Sequence, residues 1–64
     1  MRLTELWERL EAVLGPAYAR SWAADTVLAE LGGRTVDEAL AQGEEVKVVW
    51  WAVADHLELP TSRR

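Results

Sequence analysis

The sequence predicts an all-α protein, a compact bundle of three to four short helices. Three observations lead there. Apolar residues recur at helical spacing in the first and last thirds of the chain, glycines divide it into helix-length pieces, and Thr35-Val36-Asp37-Glu38 has the form of a helix-opening capping box.

The first helix is the clearest. Leu3, Leu6, Trp7, Leu10, Val13 and Leu14 fall on one stripe. Thr4 is suited to cap it, because its hydroxyl accepts from an orphan amide of the first turn. Glu5 and Glu8 complement the positive end of the helix, and Glu5 and Arg9 form a favourable i,i+4 pair. Gly15 suits a left-handed helix end, and Pro16 suits the first turn of a new helix.

A second helix is expected over about 16–31, with an irregularity inside it. Tyr18 and Trp22 share one face, whereas Leu28 and Leu31 share another. Either the helix restarts near Ala24-Asp25 with Asp25 as cap, or it is continuous and its ends pack on different neighbours. Gly32-Gly33 stops it, since glycine reaches positive φ without steric cost. A short third helix follows over about 36–42, with Val36, Ala39 and Leu40 inward and Gly43 as its end. The fourth starts at Glu45 or Val46 and runs to about Leu57. Its main stripe is Val49, Trp50, Val53 and Leu57, with Lys47, Trp51, Asp55 and Glu58 opposite. Pro60 disfavours helix at Leu59, so one domain over 1–60 is expected, with a frayed tail over 61–64. The core should draw on Leu6, Trp7, Leu10, Leu14, Tyr18, Trp22, Leu28, Leu31, Leu40, Trp50, Val53 and Leu57.

Composition bounds the chemistry. A domain of this size buries only about 60% of the surface of its unfolded chain, and such domains often lean on a disulfide, a metal or a partner. There are no cysteines, which excludes disulfides, thiolate zinc sites and cysteine nucleophiles. The 4 tryptophans among 64 residues supply large buried areas instead. The formal charge of −4 favours solubility and opposes binding to a phosphate backbone. Glu5, Glu8, Arg9 and Glu11 break any signal-peptide pattern, and no run approaches the roughly 18 apolar residues of a membrane span. A cytoplasmic location is the expectation.

Several stretches together carry a resemblance. They are Met1-Arg2-Leu3-Thr4-Glu5 with Trp7-Glu8-Arg9, Tyr18-Ala19, Ser21-Trp22-Ala23 and Asp25, and the most specific, Val27-Leu28-Ala29-Glu30-Leu31-Gly32-Gly33-Arg34-Thr35-Val36. Glu38-Ala39-Leu40-Ala41, Gly43-Glu44, Val49-Trp50 and Ala52-Val53 extend it over residues 1–60. In these the chain resembles the short actinobacterial proteins grouped as domain-of-unknown-function family 3046. Two positions depart from that pattern. Val46 stands where a proline usually opens the last helix, and Trp51 stands where a basic residue is usual. The resemblance implies a setting near recombination genes and supplies no catalytic residues to carry over.

Five places invite a functional reading. Asp25 lies near an apolar face, where a carboxylate is costly unless paired; it is either a poised acid or partner contact, or a structural group acting as cap or bonded to a Trp indole or Arg34. Gly32-Gly33-Arg34-Thr35 precedes a helix but lacks the lysine and length of a phosphate loop, so it reads as a turn. Arg34 there is either an exposed recognition residue or a lock on the turn, bonding carbonyls or Asp25. His56 has only Asp55 and Glu58 nearby in sequence, too few convergent ligands for a metal. Trp51, among Lys47, Asp55 and Glu58, is either an exposed binding anchor or a lid over a small core.

Helices three and four have helix-turn-helix proportions, with Ala39 four residues before Gly43. A recognition helix should open with Arg, Lys, Asn or Gln, and this one opens Glu44-Glu45-Val46-Lys47. The polar face of the first helix is mainly acidic, which anionic lipid repels. The sequence therefore points to a non-catalytic interaction module or accessory protein with a protein partner, contacted through Trp51, Arg34 and Lys47, with Asp25 as a structural polar site. Helix-turn-helix-like nucleic-acid binding is the alternative. No cofactor, metal, membrane attachment or catalytic residue is expected.

Overall fold

The computed structural model describes residues 1–59. Four α-helices and one short 3-10 turn make up the domain: α1 Leu3–Leu14, α2 Pro16–Asp25, the 3-10 turn Ala29–Leu31, α3 Val36–Ala41 and α4 Val46–His56. The expected tail over 61–64, and Pro60 with it, lie outside the described residues. Helices α1 and α2 pack on each other, α3 packs on α2, and α4 closes the bundle against α1, α3 and the 3-10 turn.

Helix α1 begins two residues earlier than a Thr4 cap requires. Arg2 is extended at the cap position, and its amide donates to Glu5 Oε1 at 2.8 Å. Arg2 has no side-chain acceptor, so only the carboxylate half of a capping box forms. Thr4 lies inside the first turn. Leu6 and Leu10 are fully buried, while Leu3, at the start of the helix, and Val13, at the edge of the stripe, are exposed.

One residue joins α1 to α2. The Gly15 amide donates to the Glu11 carbonyl at 2.8 Å, and its own carbonyl accepts from Tyr18 at 3.2 Å and Ala19 at 3.0 Å. Its φ of 91° and ψ of 144° are not the expected left-handed helical values but the positive-φ extended region that glycine alone adopts readily. Helix α2 then buries Ala19, Trp22 and Ala23. This buried arc leaves Tyr18 outside it. Tyr18 is therefore not a core residue; it is 57% exposed.

The expected helix over 16–31 also needs correction, in both of its forms. Helix α2 stops at Asp25, Thr26 and Leu28 are extended, and the chain closes a loop. The Leu28 amide donates to the Arg34 carbonyl at 3.0 Å, and the Leu28 carbonyl accepts from Leu31 and Gly33, each at 3.0 Å. Consecutive β-branched residues, Thr26 and Val27, favour the extended backbone here. Leu28 and Leu31, at 0% and 3% exposure, anchor the loop to the core. Asp25 caps nothing, because the residue that precedes the 3-10 turn is Leu28.

The capping box of α3 forms as the sequence predicts. Glu38 donates its amide to Thr35 Oγ1 at 3.1 Å, and Glu38 Oε1 accepts from the Thr35 amide at 2.9 Å. Both α3 and α4 end in a Schellman arrangement. After α3, Glu44 donates to the Ala39 carbonyl at 3.0 Å and Gly43 to Leu40 at 3.1 Å. After α4, Leu59 donates to Ala54 at 2.9 Å and Glu58 to Asp55 at 3.2 Å. The second arrangement places Glu58, with φ of 54°, where glycine usually stands. It also lays Leu59 against the core.

Glu58→Gly is accordingly expected to raise stability by about 0.5–1 kcal/mol. The change relieves roughly 1–2 kcal/mol of left-handed strain and removes a carboxylate from the negative helix end. Glycine's larger unfolded-state entropy offsets about 0.4–1 kcal/mol. The midpoint of urea unfolding should move upward; a downward move would show that the position is unstrained.

The core contains seven of the expected residues: Leu6, Leu10, Trp22, Leu28, Leu31, Trp50 and Val53. Trp7, Leu14, Leu40 and Leu57 are partly buried against it. Small residues complete it, with Ala19, Ala23, Ala39, Ala52 and Ala54 all inside.

Candidate interaction surface

Each tryptophan has a basic side chain or imidazole beside its ring. The Arg20 guanidinium carbon lies 3.8 Å from the Trp7 ring centroid and that of Arg9 lies 5.6 Å from Trp50. Lys47 Nζ lies 5.9 Å from Trp51. The His56 ring stands 6.1 Å from Trp22, tilted by 58°. A cation over an indole face contributes about 0.5–1 kcal/mol at exposed sites. The arrangement also decides the surface electrostatics. Residues 1–59 hold all 11 acids but only Arg2, Arg9, Arg20, Arg34 and Lys47 as bases, and three of those bases lie over indole rings.

Arg34 works inside the chain. Its Nε donates to the Leu31 carbonyl at 2.9 Å, one Nη donates to Gln42 Oε1, and the other lies 3.7 Å from Glu44 Oε2. The guanidinium thus ties the loop over 28–34 to the turn between α3 and α4. Asp25 is not its partner; Asp25 sits exposed at the last position of α2, where the end of that helix removes it from the apolar face. One third of the Arg34 side chain remains accessible.

His56, the last residue of α4, meets a group its sequence neighbours did not suggest. Its Nδ1 lies 3.5 Å from Glu30 Oε1 in the 3-10 turn. Among the described residues no group of three or more His, Cys, Asp or Glu is placed to hold a metal ion. Among the described residues Thr35 is the buried polar one, and its hydroxyl is engaged in the α3 cap. No buried side-chain nitrogen or oxygen among the described residues lacks a hydrogen-bond partner.

Helix α4 turns Val49, Trp50, Ala52, Val53 and Ala54 inward. Lys47, Val48, Trp51 and Asp55 lie on the other side. Trp51 is half-buried: one part packs against the core and the rest faces out, beside the half-buried Val48. The indole thus covers part of the core and leaves part of its own surface exposed. The start of α4 presents Glu44 facing Arg34, and Glu45 whose carboxylate lies 3.9 Å from Lys47 Nζ. No helix among the described residues is long and apolar enough to cross a membrane.

A family model described as "Protein of unknown function (DUF3046)" matches residues 1–62. No curated protein and no solved structure matches the chain.

Proposed function

The chain belongs to the DUF3046 family, whose description names no activity, and on that premise we propose that it is a non-catalytic protein-interaction module that binds its partner through the outward side of α4. One observation carries this reading. Helix α4 already buries five residues on its inner side, yet it still presents Trp51 and Val48 outward. A partly seated indole is held in place before binding, which lowers the entropy cost of using it as an anchor. Lys47 stands beside the ring, and the accessible part of Arg34, held near the start of α4 by its contact with Glu44, is the second basic contact. Lys47 and Arg34 at this face favour carboxylates on the facing surface of the partner, since charge complementarity speeds encounter and suppresses wrong partners. Asp25 remains a surface group with no part in this contact.

The test is affinity capture from a native host with wild type, Trp51→Ala and Lys47→Ala, each first shown by circular dichroism to be folded. Losing a central anchor costs about 2 kcal/mol, roughly a 30-fold drop in affinity. Trp51→Ala should therefore lose the partner that wild type retains. Equal retention by all three folded proteins would overturn the assignment of this face. A mobility-shift assay at low salt runs alongside and should show no retardation at micromolar protein. Retardation of a duplex would favour the nucleic-acid reading, with α3 and α4 as a helix-turn-helix.

A further inference from the structure

We draw no further inference here: the strongest candidate, the exposed apolar pair Val13 and Tyr18 flanking the Gly15 corner between α1 and α2, is an unpartnered apolar face, and nothing in the structure shows what covers it.

Discussion

Trp22→Ala is expected to lower the midpoint of thermal unfolding sharply or to abolish the transition. Trp22 is 7% exposed and sits in the last turns of α2, with the His56 ring of α4 beside it. Truncating a buried tryptophan costs about 3–5 kcal/mol through lost burial and the cavity left behind. A chain of this length has a total stability of roughly 3–10 kcal/mol, at about 0.05–0.15 kcal/mol per residue. The substitution therefore removes a third to all of it. Thermal melts followed by circular dichroism should show a large fall in midpoint or the loss of a transition. Trp22→Phe, which keeps a ring in the cavity, should retain a transition. An alanine variant melting with wild type would mean that Trp22 does not hold α2 to the bundle.

Leu28→Ala should act almost as strongly and in a different way. Leu28 is fully buried, and its own amide and carbonyl make three of the bonds that close the loop over 28–34. The side-chain loss alone costs about 2–5 kcal/mol. The position where α4 meets the 3-10 turn loses its anchor as well, so Arg34 can no longer reach Leu31, Gln42 and Glu44 together. Amide hydrogen exchange distinguishes this from a general loosening. Protection at Leu28, Leu31 and Gly33 should fall further than protection within α1, because the loop opens as a local unit before the bundle does. A uniform fall across all helices would show that the loop has no cooperativity of its own, and a shift below about 1 kcal/mol would refute the anchoring role.

Most of the helical frame is legible in the sequence because the signals are local. The α3 cap needs only Thr35 and Glu38, three residues apart, and the glycines mark the ends of α1 and α3. Misreadings arise where tertiary packing chose between local options. Leu28 and Leu31 fit a helical pattern, yet the successive β-branched Thr26 and Val27 were the stronger signal, and the two leucines instead pin an irregular loop. Tyr18 shares a face with Trp22, but the buried arc of α2 is Ala19, Trp22 and Ala23, and the phenol lies outside it. At the proposed interaction surface the sequence shows that Trp51 stands apart from the main stripe of α4. The Glu30 contact of His56 and the three-way clamp made by Arg34 depend on distances through space, and no spacing along the chain encodes them.

The Gly15 corner fixes more than a backbone angle. The same residue closes α1 and opens α2, so it sets the rotational phase between the Leu6–Leu10 stripe and the arc of Ala19, Trp22 and Ala23. One extra residue there would turn α2 by about 100° and carry its buried arc away from the core. The exposed Gly32-Gly33 tip lies at the end of a loop that Leu28 and Arg34 already close, so added length at the tip leaves the ends where they are. The chain should therefore be intolerant of length change at one glycine and permissive at the next. A single inserted glycine after Gly15 should abolish the thermal transition, whereas the same insertion between Gly32 and Gly33 should preserve it.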